Sequence, residues 1–155
     1  MPQHRETRFL PYTQEQVFKV VHDVRAYPQF LPWCQATRVY DERAGCFTAD
    51  VLIGYKVLRE RYSSDVCHQG VESIDVHYRS GPFQKLTNTW RFEAAKGGCN
   101  VHFFIDFEFR GRLLQTLASA LFHDVVRRMV TAFEARAHAL YGGPATAAKG
   151  AASAV

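Results

Sequence analysis

Two predicted strands carry polar side chains on faces that are otherwise apolar. Asn88 alternates in phase with Leu86 and Trp90, and Glu60 alternates in phase with four other residues, Leu58, Tyr62, Ser64 and Val66. Because successive side chains of a strand point to opposite faces, Glu60 and Asn88 are predicted to point inward. Buried polar groups need hydrogen-bond partners, so they either bond to each other and the backbone or contact the oxygen atoms of a ligand.

Other constellations with catalytic chemistry are largely missing from the sequence. The seven histidines form no H-E-x-x-H motif and no pair at i, i+4, and the ten glycines form neither a phosphate-binding loop nor a dinucleotide-binding turn. These patterns argue against a metal-dependent or nucleotide-dependent enzyme. We therefore predict no catalytic residue, no metal site and no catalytic cofactor.

The cysteines and the N-terminus bear on the cellular compartment. Four cysteines, Cys34, Cys46, Cys67 and Cys99, stand far apart without a C-x-x-C pair, which favours free, mostly buried thiols in a reducing compartment. The first residues lack the apolar core of a signal peptide, and no run approaches 18 apolar residues. We expect a soluble, cytoplasmic protein. The net charge of +4 is spread along the chain and says little about partners.

Residues 27–34 read Tyr-Pro-Gln-Phe-Leu-Pro-Trp-Cys, here called the proline segment. Its two prolines exclude a long helix and a central strand. The segment nevertheless carries four large apolar side chains, those of Tyr27, Phe30, Leu31 and Trp33. Leaving them in water forgoes roughly 1.5–3 kcal/mol each, so the core, a ligand or a membrane is expected to cover them.

The rest of the chain reads as strands between two helices. An edge strand is predicted over residues 4–10, and Thr13 with Gln16 forms a capping box for a helix over residues 14–24. Period-two alternation then runs for some seventy residues with a hairpin turn at Gly97-Gly98. A wide apolar stripe over residues 112–141 predicts one helix of roughly 45 Å, and residues 142–155 are predicted to be a disordered tail.

These elements predict an α+β, helix-grip architecture. A curved antiparallel sheet of six to seven strands would wrap its apolar face around the long C-terminal helix, in one domain over residues 1–141. A curved sheet and a straight helix touch closely along one line and separate elsewhere, which makes an elongated apolar cavity plausible. The proline segment would lie at its mouth.

Three motifs resemble a known family in a consistent order along residues 3–141. They are the proline segment, Gly-Pro-Phe-Gln-Lys-Leu-Thr-Asn-Thr-Trp-Arg-Phe at 81–92, and Asp-Phe-Glu-Phe at 106–109. Together they look like the coenzyme Q-binding START-domain family. The resemblance implies a hydrophobic tunnel that holds ubiquinone or a related polyprenyl lipid, supports quinone synthesis and respiration, and performs no catalysis.

The resemblance also leaves alternatives open. Some bacterial relatives are ribosome-association toxins that act on the large subunit, and the same motifs do not separate the two roles. Helix-grip relatives include polyketide cyclases, for which Glu60 would be a candidate general acid or base. We expect no DNA partner, and the protein would contact the inner face of a bacterial inner membrane only transiently.

A set of candidate ligand-binding residues follows from the predicted faces and the resemblance. A quinone ring offers only hydrogen-bond acceptors, which Asn88 or Tyr62 can satisfy directly and Glu60 only when it is protonated. The apolar tail would supply most of the affinity, since each buried carbon contributes about 0.8 kcal/mol. The full set is Phe30, Leu31, Trp33, Tyr55, Glu60, Tyr62, Phe83, Asn88, Trp90, Phe103, Phe107, Leu114, Leu117, Leu121 and Val125.

Basic residues offer a second candidate surface, for phospholipid headgroups or ribosomal RNA. They are Lys56, Arg59, Arg61, Arg110, Arg112, Arg127 and Arg128. Solvation is the usual role of such residues, and no RNA-binding signature with interleaved aromatic residues is present in the sequence.

Overall fold

The computed structural model describes residues 3–55 and 58–142, and the side chains of Tyr55, Leu58 and Ala118 lie outside the described part. Seven antiparallel strands form one sheet in the order β1-β7-β6-β5-β4-β3-β2. The strands are β1 (Gln3–Leu10), β2 (Cys34–Arg43), β3 (Cys46–Tyr55), β4 (Leu58–Gln69), β5 (Ser73–Ser80), β6 (Phe83–Ala95) and β7 (Gly98–Phe109). With the long C-terminal helix α3 (Arg112–Tyr141), they confirm the predicted helix-grip fold.

The first helix, α1 (Gln14–His22), begins where the sequence predicts. The Thr13 hydroxyl accepts a hydrogen bond from the Gln16 backbone at 3.1 Å, and the Gln16 side chain accepts one from the Thr13 backbone at 2.9 Å. Both bonds satisfy amide groups that the first turn would otherwise leave free. The helix ends at His22, two residues before the predicted end, and a 3₁₀ turn (Val24–Ala26) follows.

The proline segment is not a loop throughout. Its first four residues form a single helical turn, α2 (Tyr27–Phe30), with Pro28 in the first turn. Proline is tolerated there because the amide hydrogens of the first turn have no partner within the helix. The aromatic rings at the two ends of α2, those of Tyr27 and Phe30, lie 5.4 Å and 5.3 Å from the ring of Phe133 on α3. The protein's own core therefore covers a large part of this segment.

Burial is not confined to the apolar face of the sheet. Asp106 alternates with the apolar residues of β7 and would be expected to face water, but it is only 7% exposed. Lys85 Nζ lies 3.0 Å from its carboxylate and Gln3 Nε2 donates to it at 3.2 Å, so neighbouring strands cover it from both sides. Phe104, the apolar residue on this outer face, lies beneath the Arg5 guanidinium at 4.4 Å, a favourable cation–π contact.

Helix α3 crosses the concave face of the sheet. Phe122, Val126, Phe133 and Ala137 are buried along one side of the helix. The predicted apolar stripe is wider than the buried side, since Leu113 is 76% exposed and Leu140 50% exposed. Helix periodicity alone did not reveal that these two residues are exposed. None of the helices within the described residues is long and apolar enough to cross a membrane.

The prediction of four free thiols is wrong for two of them. Cys46 and Cys67 face each other in the register of β3 and β4 and are joined by a disulfide, with their Cα atoms 4.1 Å apart. The hairpin brings together residues that are 21 positions apart in the sequence. Cys34 and Cys99 are free and buried, as predicted. The predicted disordered tail, apart from Gly142, lies outside the described residues.

Candidate functional site

An apolar cavity of about 200 Å³ lies between α3 and the concave face of the sheet. Strands β3 to β7 form its floor, α3 forms its roof, and the proline segment closes one side. The predicted residues that line it are Leu31, Trp33, Tyr62, Phe83, Asn88, Trp90, Phe107, Leu121 and Val125. Their role in binding a ligand stays a prediction, but the fold brings these nine side chains around one space.

Five other predicted residues do not reach this lining. Phe30 packs against Phe133 and lies under the Arg136 guanidinium at 5.2 Å. Leu114 packs on a small cluster around Phe83 and Phe109. The remaining three are Glu60, whose cross-strand partner Ile53 lines the cavity while Glu60 does not, Leu117, which is half-buried on α3, and Phe103, whose ring is tilted against that of Trp90.

Tyr55 completes the predicted set, and its side chain lies outside the described part of the structure. It is the last residue of β3, so only its place in the strand is known.

Several residues of the lining were missed in the prediction of the site. On α3 they are Phe122, Val126, Met129 and Phe133, and on the inner face of β3 they are Ala49, Val51 and Ile53. The sequence carried the signal, since these helix residues belong to the apolar stripe and the strand residues to the apolar face. Periodicity identifies the face that points inward, but it does not tell which residues border an empty space and which are fully packed.

Aromatic rings form one end of the cavity. The Phe83 ring stacks on Phe109 with their centroids 4.5 Å apart, and its edge meets Tyr62 at 5.4 Å and Phe107 at 5.8 Å. Phe107 continues the contact to Phe122 of α3 at 5.2 Å. This end of the cavity is thus fixed by edge-to-face and stacked contacts, the arrangements that aromatic pairs prefer.

The polar groups of the cavity are hydroxyls, an amide and a thiol. Tyr62 and Ser64 lie on the inner face of β4 and line the cavity. Within the described part of the chain, neither hydroxyl is hydrogen-bonded to another protein group. Burial raises the pKa of Tyr62 above the usual range of a phenol, so Tyr62 remains a hydrogen-bond donor at neutral pH.

Asn88 is less available to a ligand than its predicted inward position suggests. Its Nδ2 donates to the Phe104 carbonyl at 2.9 Å, and its Oδ1 accepts a hydrogen bond from Trp90 Nε1 at 3.1 Å. These bonds fix the indole of Trp90 in the cavity wall and leave Asn88 one free amide hydrogen. The internal polar network that the sequence offered as one alternative is therefore present at this residue.

The cavity is uncharged. No Asp, Glu, His, Lys or Arg is found in its lining among the described residues, and the same part of the chain contains no cluster of three or more potential metal ligands. The Cys34 thiol also lines the cavity, and burial raises its pKa to about 11. The geometry thus offers hydrogen bonds and apolar contacts, while Glu60, the candidate acid or base, lies outside the lining.

The proline segment is held against the cavity that it lines by backbone and side-chain bonds. The Trp33 carbonyl accepts a hydrogen bond from the Gly54 amide at 2.8 Å, which fixes it to the end of β3. The Tyr27 hydroxyl donates to the Val21 carbonyl. Trp33 is half-buried and lines the cavity, so its indole can contact a bound molecule without leaving the fold.

Comparison with known proteins places this architecture in a family. A family model described as "Polyketide cyclase / dehydrase and lipid transport" matches residues 10–134. A relative from Rickettsia prowazekii, the "Ribosome association toxin RatA", is 36% identical over 137 residues, which cover 86% of this chain and 94% of the relative.

Two further relatives show the range of the family. The "Coenzyme Q-binding protein COQ10 homolog B, mitochondrial" of Xenopus laevis is 32% identical over 145 residues, which cover 90% of this chain and 59% of the relative. The solution structure of an 18 kDa protein from Caulobacter crescentus is 36% identical, with a TM-score of 0.75 over 92% of this chain and all (100%) of that one.

Proposed function

The chain belongs to the polyketide cyclase / dehydrase and lipid transport family, and from this premise we propose that its cavity binds ubiquinone or a related polyprenyl lipid. The protein would act as a non-catalytic carrier in the cytoplasm that supports quinone synthesis and respiratory electron transport. The observation that carries the proposal is an uncharged apolar cavity into which two hydroxyls, those of Tyr62 and Ser64, point without a protein partner.

The hydroxyls suit a quinone headgroup. A quinone carbonyl accepts hydrogen bonds and donates none, so it complements the two hydroxyl donors. A quinone carbonyl placed near Tyr62 would give its hydroxyl an acceptor that no described protein group supplies.

The apolar walls suit a polyprenyl tail. The cavity of about 200 Å³ is smaller than the roughly 300–1,000 Å³ of sites that enclose a drug-sized ligand. It can therefore hold a headgroup with a short stretch of tail, and a longer tail needs additional space. Each buried methylene adds about 0.8 kcal/mol, so even a short stretch contributes strongly to the affinity.

A transient contact with the inner face of the bacterial inner membrane would deliver such a lipid. Leu113, in the first turn of α3, is 76% exposed, and the neighbouring Arg110 and Arg112 are exposed as well. An apolar side chain flanked by cations matches an anionic lipid surface, where each basic residue near the surface contributes about 1 kcal/mol. Of the other basic candidates, Lys56 lies outside the described residues.

Mass spectrometry of organic extracts from the purified protein tests the proposal most directly. We expect ubiquinone or a related polyprenyl lipid in extracts of the wild-type protein after gentle purification. Titration of delipidated protein with ubiquinone, followed by the fluorescence of Trp33 and Trp90, should show saturable binding. An empty extract together with the absence of saturable binding would rule the lipid carrier out.

Association with the large ribosomal subunit is the second candidate function. It is favoured by the Rickettsia relative, whose name is that of a ribosome association toxin. Cosedimentation with isolated large subunits separates the two functions, since a carrier stays in the supernatant and a ribosome-binding protein enters the pellet. If phosphate contacts hold the complex, the pelleted fraction should fall steeply as the salt concentration rises. If the protein cosediments with large subunits and its organic extract contains no lipid, ribosome association becomes the first candidate function and the lipid carrier the second.

A further inference from the structure

A second, smaller cavity adjoins the first. It has a volume of about 40 Å³ and lies between β1, α1 and α3. Its walls are mostly apolar side chains, among them Val17, Val20, Val101, Phe103, Val130 and Ala137. Phe103, a predicted ligand-binding residue that does not reach the main cavity, therefore borders this second one.

Three side chains are common to both cavities. Val21, Trp90 and Phe133 line the main cavity and the second cavity alike. The Trp90 and Phe133 rings meet with their centroids 5.1 Å apart, and Trp90 lies 4.7 Å from Phe103. The two spaces thus lie on opposite sides of the same rings. Asn88 holds the indole of Trp90 through a hydrogen bond of 3.1 Å, so a passage between the two cavities requires a change of rotamer at Phe133.

The main cavity extends along α3 toward this shared wall. Phe122 lies beside the aromatic end that contains Tyr62, and Phe133 is eleven residues further along α3. At 1.5 Å per residue the two phenylalanines are separated by about 16 Å along the helix. A ligand whose headgroup bonds to Tyr62 and whose tail follows α3 therefore reaches Trp90 and Phe133 with its tail.

Charged side chains close the far side of the second cavity. Arg8 on β1 forms ion pairs with Glu134 on α3 at 2.8 Å and with Glu6 at 2.7 Å. All three residues line this cavity. An apolar tail gains nothing from displacing these paired charges, so the ion pairs mark where favourable burial of the tail ends.

We propose that the second cavity is a subsite for the distal part of the lipid tail, entered between Val21, Trp90 and Phe133, and that it sets the tail length the protein prefers. This inference rests on the proposed function, because it takes the ligand to be a polyprenyl quinone. It adds the distal subsite, the three residues at its entrance and the ion pairs that limit it.

A series of quinones with the same ring and increasing numbers of isoprenoid units tests the subsite. For the wild-type protein, affinity should rise with tail length and then level off once the tail fills the second cavity. Val130 lines only the second cavity, so V130F should leave the affinity for short tails unchanged. For the longest tails V130F should weaken binding about tenfold, the effect of withdrawing roughly two buried methylene equivalents.

Leu140→Phe is the matched control, since Leu140 is on the same helix, is 50% exposed and lines neither cavity. L140F should bind all quinones of the series like the wild type. Ala137 also lines only the second cavity, and A137V replaces V130F as the filling variant if the melting temperature shows that V130F does not fold.

The outcomes separate the subsite from the proposed function. If the wild-type protein binds quinones but the filling variants weaken all tail lengths equally, or none, the subsite is refuted while the carrier function stands. If no quinone of any length binds to the wild-type protein, the proposed function itself fails and the subsite fails with it.

Discussion

Gly81 lies directly against Tyr62. A Cβ atom added to Gly81 would come within 2.6 Å of Tyr62 Cβ and 2.9 Å of Tyr62 Cα. Gly81 also has a φ of +141°, a conformation that other residues adopt only with strain. Gly-Pro pairs are typical of tight turns, and here the absence of a side chain at Gly81 also lets the turn before β6 approach Tyr62, which lines the cavity.

Replacing Gly81 should disturb both the fold and the site. We expect Gly81→Ala to lower the free energy of unfolding by about 1–3 kcal/mol, because the new methyl group must push Tyr62 away. Quinone affinity should fall as well, since Tyr62 moves with its strand. Urea denaturation and quinone titration measure the two effects. Gly97→Ala is the control, because Gly97 also has a positive φ but no atom within 4 Å of an added Cβ; it should lose stability and keep its affinity.

Removing the Tyr62 hydroxyl should weaken binding without weakening the fold. The hydroxyl has no protein partner among the described residues, so Tyr62→Phe should leave the free energy of unfolding unchanged or slightly raised. The lost hydrogen bond should lower ubiquinone affinity roughly threefold to tenfold. Tyr40→Phe is the control with the opposite expectation: it should lower the free energy of unfolding and leave ubiquinone affinity unchanged. The Tyr40 hydroxyl donates to Asp50 at 2.9 Å on the outer face of the sheet. Equal affinities of wild-type protein and Tyr62→Phe would contradict the assigned role of Tyr62.

Trp33 should act on binding more than on stability. It lines the cavity and is only half-buried, so Trp33→Ala removes a cover from the ligand while most of the core remains intact. We expect about a tenfold loss of quinone affinity with little change in melting temperature. Phe9→Ala is the control and should leave quinone affinity unchanged, since Phe9 is an aromatic residue that is 48% exposed on the edge strand and does not line the cavity. Loss of the fold with unchanged residual affinity would argue for a structural role of Trp33.

The stability of the protein should fall in mildly acidic solution because of His22. Its ring stacks on Phe18 at 5.0 Å and meets His68 at 4.9 Å. Burial, and to a smaller extent His68, lower the pKa of His22 below its ordinary value of 6.5, while Asp23 and Glu42 oppose the shift. The unfolded chain therefore takes up a proton first, and the free energy of unfolding decreases as the pH falls through 6.5 toward the lower pKa of the folded state.

Urea denaturation between about pH 8 and pH 5 measures this effect. His22→Gln should flatten the pH dependence in that range, whereas His77→Gln, at an exposed position on β5, should leave it unchanged. Burial opposes ionisation of Asp50, Asp65 and Glu6, but the hydrogen bonds and charges of their neighbours together outweigh it and lower their pKa values. These carboxylates therefore stabilise the fold above their ordinary pKa range and lose this contribution only in more acidic solution. If the free energy of unfolding of His22→Gln falls with decreasing pH as steeply as that of the wild type, His22 is not the cause.

Thiol labelling should separate the cysteines into two pairs. Cys34 and Cys99 are buried with raised pKa values, so neither should react quickly with a thiol reagent in the folded, oxidised protein. Mild reduction should open the disulfide and expose Cys46 and Cys67, which are partly accessible to solvent. Mass spectrometry of labelled peptides identifies the sites. In Cys46→Ser the remaining Cys67 should be labelled without reduction, and labelling of Cys34 before reduction would contradict the packing around it.

Patterns that depend on neighbouring residues were readable from the sequence. The capping box at Thr13 and Gln16, the alternation of β7 and the long stripe of α3 are local, because hydrogen bonding within one helix turn and the alternation of a strand involve only a few adjacent residues. From them the helix-grip fold followed and is confirmed, whereas the short helix α2 (Tyr27–Phe30) was not predicted. The family also followed, since its motifs are continuous stretches of chain.

Which residues meet across the fold was decided by the tertiary structure alone. The register of β3 and β4 pairs Cys46 with Cys67. It also pairs Glu60 with Ile53, which lines the cavity, while Glu60 itself lies outside the lining. A periodic pattern specifies the face on which a side chain lies, but its position along that face depends on strand register and on the path of α3 across the sheet. The sequence by itself therefore determined the layers of this protein, and packing between them decided where Tyr62 finds an empty space and where Phe133 divides it.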